Sequence, residues 1–316
     1  MSTVTIPAEE TKQGRYLADR EGVLGPLMLA PAVLYIIVLV GIPFVIAILY
    51  SLSDVTVGDQ SIDWVGFANF RAVWRNNTFQ TALHNTFYFT IVSQVVVIVL
   101  ANILATVLMA DFNGKRLVRF LILLPWTTPI ALSTIGWLWL LDSLYSPIDW
   151  VLRDLGLLGP HTAFGPNLHM LWLSKTRLAQ ASVIVVQIWR TLPLATVILL
   201  AGLTSIPQDI KDAAEVDGAS YWRQLIFIRL PLLLPIIAVA FLYGIIFTFT
   251  DMTVVYILTR GGPVDSTQVL ASWAFYKGVN GSNLAQGAAI ALFLFPVLLA
   301  GAILILRLAH RAETTG

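Results

Sequence analysis

The chain has 316 residues, of which 57% are hydrophobic and only 12% charged, with a mean hydropathy of +0.80. An ordinary soluble domain carries roughly 25% charged residues, so this composition points to a polytopic membrane protein. A net charge of +1 gives no reason to expect nucleic acid as a partner, and the lack of cysteine excludes a disulfide, a thiolate metal site and a thiol nucleophile.

Taken in chain order, the first 22 residues are polar and lack the apolar core of a signal peptide, which predicts a retained tail. Uncharged runs then cover 22–53, 76–110, 120–141, 191–208, 230–250 and 278–306. A helix needs about 20 apolar residues to cross the hydrocarbon core. Six transmembrane helices are therefore expected at approximately 24–51, 84–110, 117–142, 179–204, 230–256 and 284–307, the fourth extended back across Arg190. A further uncharged run, 155–174, is interrupted by Gly156, Gly159, Pro160, Gly165 and Pro166. Its backbone would leave polar groups unsatisfied in lipid, which predicts an extramembrane loop. The fold class is all-α, with one membrane domain over 23–308 between cytoplasmic tails at 1–22 and 309–316.

With the N-terminus inside, the inner segments hold eleven Lys and Arg residues against seven outside, and the inner ones lie closer to the span ends. The positive-inside rule then places both termini in the cytoplasm, and with them the loop at 205–229. There, Ser205 followed by Gln208 forms a capping-box pattern, Pro207 suits a first helical turn and Gly218 a stop, so 206–217 reads as a short helix. Lys211 and Glu215 can pair on its wet face. A second helix carrying Trp222, Leu225 and Ile228 leads to Leu230, Pro231 and the fifth span. Ala213 and Ala214 leave one side narrow enough to enter a groove on another protein, although a connector lying on the membrane surface fits the same pattern.

Charge within the spans is costly, at least about 2.5 to 3.5 kcal/mol for a residue at mid-bilayer. Gln187, Arg190, Thr191 and Leu194 follow i, i+3, i+4, i+7 and share a helical face, and Gly244, Phe247, Thr248 and Asp251 repeat that spacing. Such faces could hydrogen-bond the hydroxyls of a sugar and stack on its ring. A structural Arg190–Asp251 ion pair, or Arg190 snorkelling to an interface, is the competing explanation. Arg190 also leaves room for an anionic cargo such as a glycerol phosphate ester, against which Asp251 argues. Trp126, Trp137, Trp139, Trp172 and Trp189 read first as interfacial belts and second as sugar platforms. Arg260, Gly261, Gly262 and Pro263 end the fifth span in a tight turn, either a plain stop or an outer contact. No phosphate-binding GxxxxGK[ST], HExxH or GxSxG motif occurs, so any work this chain does is powered from elsewhere.

The segment from Asp212, Ala213, Ala214, Asp217, Gly218 and Ala219 to Ile228, Leu230, Pro231 and Pro235 resembles the EAA loop of membrane subunits of ABC importers, written EAAxxDGA followed by IxLPxxxP. Asp212 stands where that motif has Glu. LLPWTTPIAL (123–132), WRTLPLATVILLAGLTSIPQDI (189–210) and VVYILTRGGPVDSTQVLASWAFYKG (254–278) are similar to the sugar-permease subgroup related to the larger membrane subunit of the maltose importer. The resemblance implies an ABC type I importer permease fold in a bacterial or archaeal inner membrane. It also implies a second homologous permease subunit, two copies of an ABC ATPase that carry the ATP and Mg, and an extracytoplasmic solute-binding protein. This chain would bind no cofactor and cleave nothing. Asp212, Ala213, Ala214, Asp217, Gly218 and Ala219 would couple it to the ATPase, and the two mixed faces above would line the sugar pathway. The rival reading is an ion-coupled secondary transporter or channel that works through Asp251 without an ATPase. A membrane enzyme is disfavoured, because no span pairs a nucleophile with a base.

Overall fold

A computed structural model describes residues 21–59 and 61–315; the expectations for tail residues 1–20 and for residue 316 lie outside the described residues. The chain divides into two units at Leu49/Tyr50. α1 (Glu21–Ile36), in the first, continues through a wide turn at Ile37–Gly41 into α2 (Ile42–Ser51), whose last two residues belong to the second, so that Leu24–Ser51 is one long apolar helix.

The second unit continues with the short α3 (Ala68–Trp74) and the long α4 (Asn77–Met109). α4 starts ahead of the expected span limit at 84 because the Asn76 side chain accepts from the N–H of Thr78 and Phe79 at 2.9 and 3.2 Å, matching two of the donors a helix start leaves free. At its other end, Lys115 Nζ and Arg119 Nη2 donate to the carbonyls of Met109 and Leu108.

The expected third span is not one straight helix. Two helices, α5 (Lys115–Thr127) and α6 (Ile130–Leu140), meet there at a 99° bend. Pro129 is the cause, since the ring disfavours helical geometry in the residue before it, and Thr128 is extended at φ −80°, ψ 140°. The Thr128 hydroxyl takes up the carbonyl of Pro125, which Pro129 cannot match for want of an N–H, and the Thr127 hydroxyl adds to the Thr128 N–H on the carbonyl of Leu124.

After α7 (Pro147–Asp154), residues 155–175 form a chain of turns, as the run of Gly and Pro requires. Fully buried Asp149 organises it, accepting from Met170 N and Trp172 Nε1, each at 2.8 Å.

Then come α8 (Thr176–Ser205), α9 (Gln208–Val216) and α10 (Tyr221–Gln224). α10 continues through a wide turn, Leu225–Arg229, into α11 (Leu230–Phe249) as one helix over Tyr221–Phe249. The expected second short helix is thus the first turns of the fifth span. That span ends at Phe249, not 256, and α12 (Thr253–Leu258) follows a break. α13 (Leu270–Phe275) and α14 (Leu284–Thr315) complete the chain, the last running past the expected limit at 308.

Among the described residues, five helices are long and apolar enough to cross a membrane, and the bent α5–α6 pair makes a sixth when counted as one span. α4 and α8 form the most extensive helix pair. Val97, Ala101 and Ala105 of α4 pack with Ala195, Leu199 and Leu203 of α8 and with Leu233 and Ala240 of α11. In lipid such contacts rest on close packing and hydrogen bonds, so the alanines contribute by letting backbones approach. The opposite face of α4 shows Phe87, Ile91, Val95, Val99, Ile103 and Val107, all exposed and apolar.

Candidate functional site

Three helices and one break bring a polar cluster together inside this apolar bundle. From α8, Arg190 Nη1 lies 3.1 Å from Asp251 Oδ1 and Gln187 Nε2 donates to Asp251 Oδ2 at 3.0 Å. The side chains of Arg190 and Asp251 are only 15% and 7% exposed. Asp251 also accepts from the N–H of Thr253 and Val254, both at 3.2 Å, and so caps α12. Its two oxygens therefore accept three hydrogen bonds and face the Arg190 guanidinium as an ion-pair partner. Thr191 Oγ1 donates back to Gln187 O at 2.8 Å, and Leu194 adds a half-buried apolar wall one turn on.

The single face expected for Gly244, Phe247, Thr248 and Asp251 is not formed. α11 stops at Phe249, where Thr250 Oγ1 bonds Ile246 O, and Asp251 lies beyond the helix, turned to α8. Gly244 and Thr248 face α4, where Gln94 Nε2 donates to Thr248 Oγ1 at 2.9 Å. Phe247 joins an aromatic group instead, its ring centroid 4.4 Å from that of Tyr243 and 5.6 Å from that of Trp126 on α5.

Gln94 is fully buried and escapes the sequence reading because it is uncharged. Its signal is periodic: Thr86, Thr90 and Gln94, four apart, are polar and buried in an otherwise apolar span. Around the cluster, Thr90 Oγ1, Gln94 Oε1, Gln187 Oε1 and Arg190 Nη1 are buried without a hydrogen-bond partner. Arg190 Nη1 sits at ion-pair distance from Asp251 with its N–H directed elsewhere.

The tryptophans divide. Trp126 belongs to the aromatic group, and Trp172 is held by Asp149. Trp137, Trp139 and Trp189 line an open, mostly apolar cavity of about 460 Å³ together with Thr128, Ser133, Gly136 and Leu140. Trp137 and Trp189 meet edge to face at 5.7 Å.

The turn after α12 is more than a helix stop. Arg260, Gly261, Val264 and Asp265 all have positive φ. Asn85 Nδ2 of α4 donates to the carbonyls of Ser266 and Gln268, and Gln180 Nε2 of α8 donates to that of Ser266.

At the other coupling candidate, α9 exposes Asp212, Ala213, Glu215 and Asp217, while Ala214 is 5% exposed. Only one of the two alanines is therefore on the open face. The expected capping box is absent: Ser205 ends α8, its hydroxyl bonds Gly202 O, and Pro207 occupies the cap. Lys211 and Glu215 form no ion pair among the described residues; instead Gln208 Nε2 donates to Asp212 Oδ1 at 2.8 Å. Gly218 does stop the helix, at φ +67°, with Gly218 N bonded to Glu215 O and Ala219 N to Ala214 O. These two bonds make a Schellman closure, which needs a left-handed residue at that position. Buried Gln224 ties the segment down, donating to Ala219 O and accepting from Arg229, whose guanidinium lies over the Tyr221 ring.

A helical chain with several apolar spans, a polar cluster between them and an acidic helix outside them is a membrane permease by class. Residues 98–314 match the family described as the binding-protein-dependent transport system inner membrane component, and the chain belongs to that family. It is 30% identical over 292 residues to the trehalose/maltose transport system permease protein MalF of Thermococcus litoralis, covering 92% of this chain and 95% of that one. It is 28% identical to the diacetylchitobiose uptake system permease protein DasB of Streptomyces coelicolor, covering 94% and 90%. A bacterial ABC transporter involved in the import of the acidic polysaccharide alginate shares the fold, with a TM-score of 0.77 at 18% identity over 91% of this chain and 95% of that one.

Proposed function

We propose that this chain forms half of the translocation pathway of an ATP-driven importer for a sugar or related polyol. The observation that carries this reading is α9: an exposed acidic helix closed by the Gly218 turn and joined directly to the fifth span. A push on α9 is conveyed through the Tyr221–Phe249 helix to Gly244 and Thr248. Asp212, Ala213, Asp217, Gly218 and Ala219 form the contact with an ABC ATPase, while buried Ala214 sets the helix against its own chain. Two ATPase copies, with their ATP and Mg, a second homologous permease subunit and an extracytoplasmic solute-binding protein complete the importer. Both termini are then cytoplasmic. Among the solved relatives, the bacterial alginate transporter has been seen in complex with a pentasaccharide-bound periplasmic protein, which supports that last partner.

The cargo passes the cluster of Gln187, Arg190, Thr191, Leu194, Gly244, Phe247, Thr248 and Asp251, where amides and hydroxyls match sugar hydroxyls. Trp126 and Phe247 offer ring faces. The rival, transport driven by an ion gradient through Asp251, is disfavoured by the three donors and the Arg190 cation already engaged with that carboxylate. The test is purification from the native membrane followed by reconstitution. An ATPase subunit should copurify, and uptake should require ATP and the binding protein; uptake without either would remove this reading.

A further inference from the structure

The unpartnered atoms around Asp251 carry a statement about charge. Gln94 Oε1, Gln187 Oε1 and the Thr90 hydroxyl are buried without partners, and all three can accept a hydrogen bond. Leaving a buried polar atom unmatched costs about 1 to 3 kcal/mol. Gln94 and Gln187 lie on one connected network, because Gln94 bonds Thr248, Asp251 N bonds Thr248 O, and the Asp251 carboxylate holds Gln187 and Arg190, while Thr90 is one helical turn before Gln94 on α4. The unmatched groups are thus mainly acceptors, set in an apolar surround, and the matching ligand is one that brings hydroxyl donors.

Arg190 is the only cation in the cluster and would by itself invite an anion. Asp251 cancels it at 3.1 Å and is held in that position by the backbone N–H groups of Thr253 and Val254. A carboxylate, sulfonate or phosphate entering here could take the unmatched Arg190 N–H only beside the negative Asp251 and the unpaired amide oxygens of Gln94 and Gln187, which repel it, whereas a neutral hydroxyl donates to those oxygens.

Resting on the proposed sugar pathway, we infer that the site takes uncharged polyhydroxyl cargo and rejects anionic sugars. Asp251 is the positioning residue that enforces this, and Gln94 of α4 is an additional cargo-binding residue.

The test uses the assembled importer in detergent, titrated calorimetrically with neutral disaccharides (trehalose, cellobiose) and with the uronic acid counterpart of cellobiose. A neutral sugar should bind at least about tenfold more tightly than the uronate, and Gln94→Leu should weaken that binding about tenfold while the importer still assembles. Asp251→Asn should raise uronate affinity. Should that variant fail to assemble, the charge-silent double variant Arg190→Gln/Asp251→Asn still decides, because it should keep rejecting the uronate. Uronate binding equal to or tighter than neutral binding in the native importer overturns the charge inference while sugar transport stands. An unaltered affinity in Gln94→Leu overturns the role of α4. Binding of neither sugar class removes the proposed function, and this inference with it.

Discussion

Gln94 of α4 lies across Gly244 of α11 so closely that a methyl group at 244 would overlap the Gln94 amide. The glycine is therefore required by its neighbour rather than by its own backbone, which is helical. Gly244→Ala should destabilise the purified protein by about 1 to 3 kcal/mol, the usual cost of overpacking. Thermal unfolding in detergent would show it, and Gln94→Ala in the same chain should recover most of the loss. Additive losses in the double variant would mean the two residues are not in contact.

At the loop after α7, the Asp149 carboxylate ties the turns back to the helix. Asp149→Ala removes the acceptor for Met170 N and Trp172 Nε1, and hydrogen bonds to a charged group are worth about 1.5 to 3 kcal/mol each. The turns at 155–175 should then become sensitive to limited proteolysis while the spans remain resistant. Unchanged protection of that loop would show that Asp149 does not organise it.

The two alanines of α9 should behave differently. Ala213→Arg places bulk on an exposed face, so the permease should fold and insert normally but lose its copurifying ATPase. Ala214→Leu forces volume into a buried position and should lower the melting temperature, the cost being about 1 to 3 kcal/mol. A reversed pattern would require α9 to turn its other face to the partner.

At Gly218 the surroundings are open, so substitution is limited only by the backbone. Gly218→Ala should cost about 1 kcal/mol from the left-handed conformation. Gly218→Pro also removes the N–H that bonds Glu215 O, and should leave ATP hydrolysis running without uptake in proteoliposomes. Normal uptake by the proline variant would detach this turn from coupling.

Much of this fold is legible in run length, because crossing hydrocarbon is a compositional demand and 20 uncharged residues satisfy it. The bend in the third span is also written in the sequence: Thr128 before Pro129 is driven out of the helix, an effect that hydropathy does not register. The break after Phe249 carries no proline and depends on Asp251 capping α12, a role visible only when the helix actually stops. The Arg190–Asp251 pair follows from two opposite charges that lipid cannot accommodate singly. Gln94 has no charge to announce it. The capping pattern at Ser205 misleads because α8 runs on to that residue and claims its hydroxyl for Gly202 O.

The Ser266 carbonyl receives Asn85 from α4 and Gln180 from α8, and Asn85 reaches Gln268 as well. Segments more than 80 residues apart in sequence are knotted at one point, where sliding any of them would strand buried amides. The carbonyls of this one turn thus act as a common anchor for the starts of α4 and α8, while their far ends are held by Ala101, Ala105, Leu199 and Leu203 next to where α9 departs.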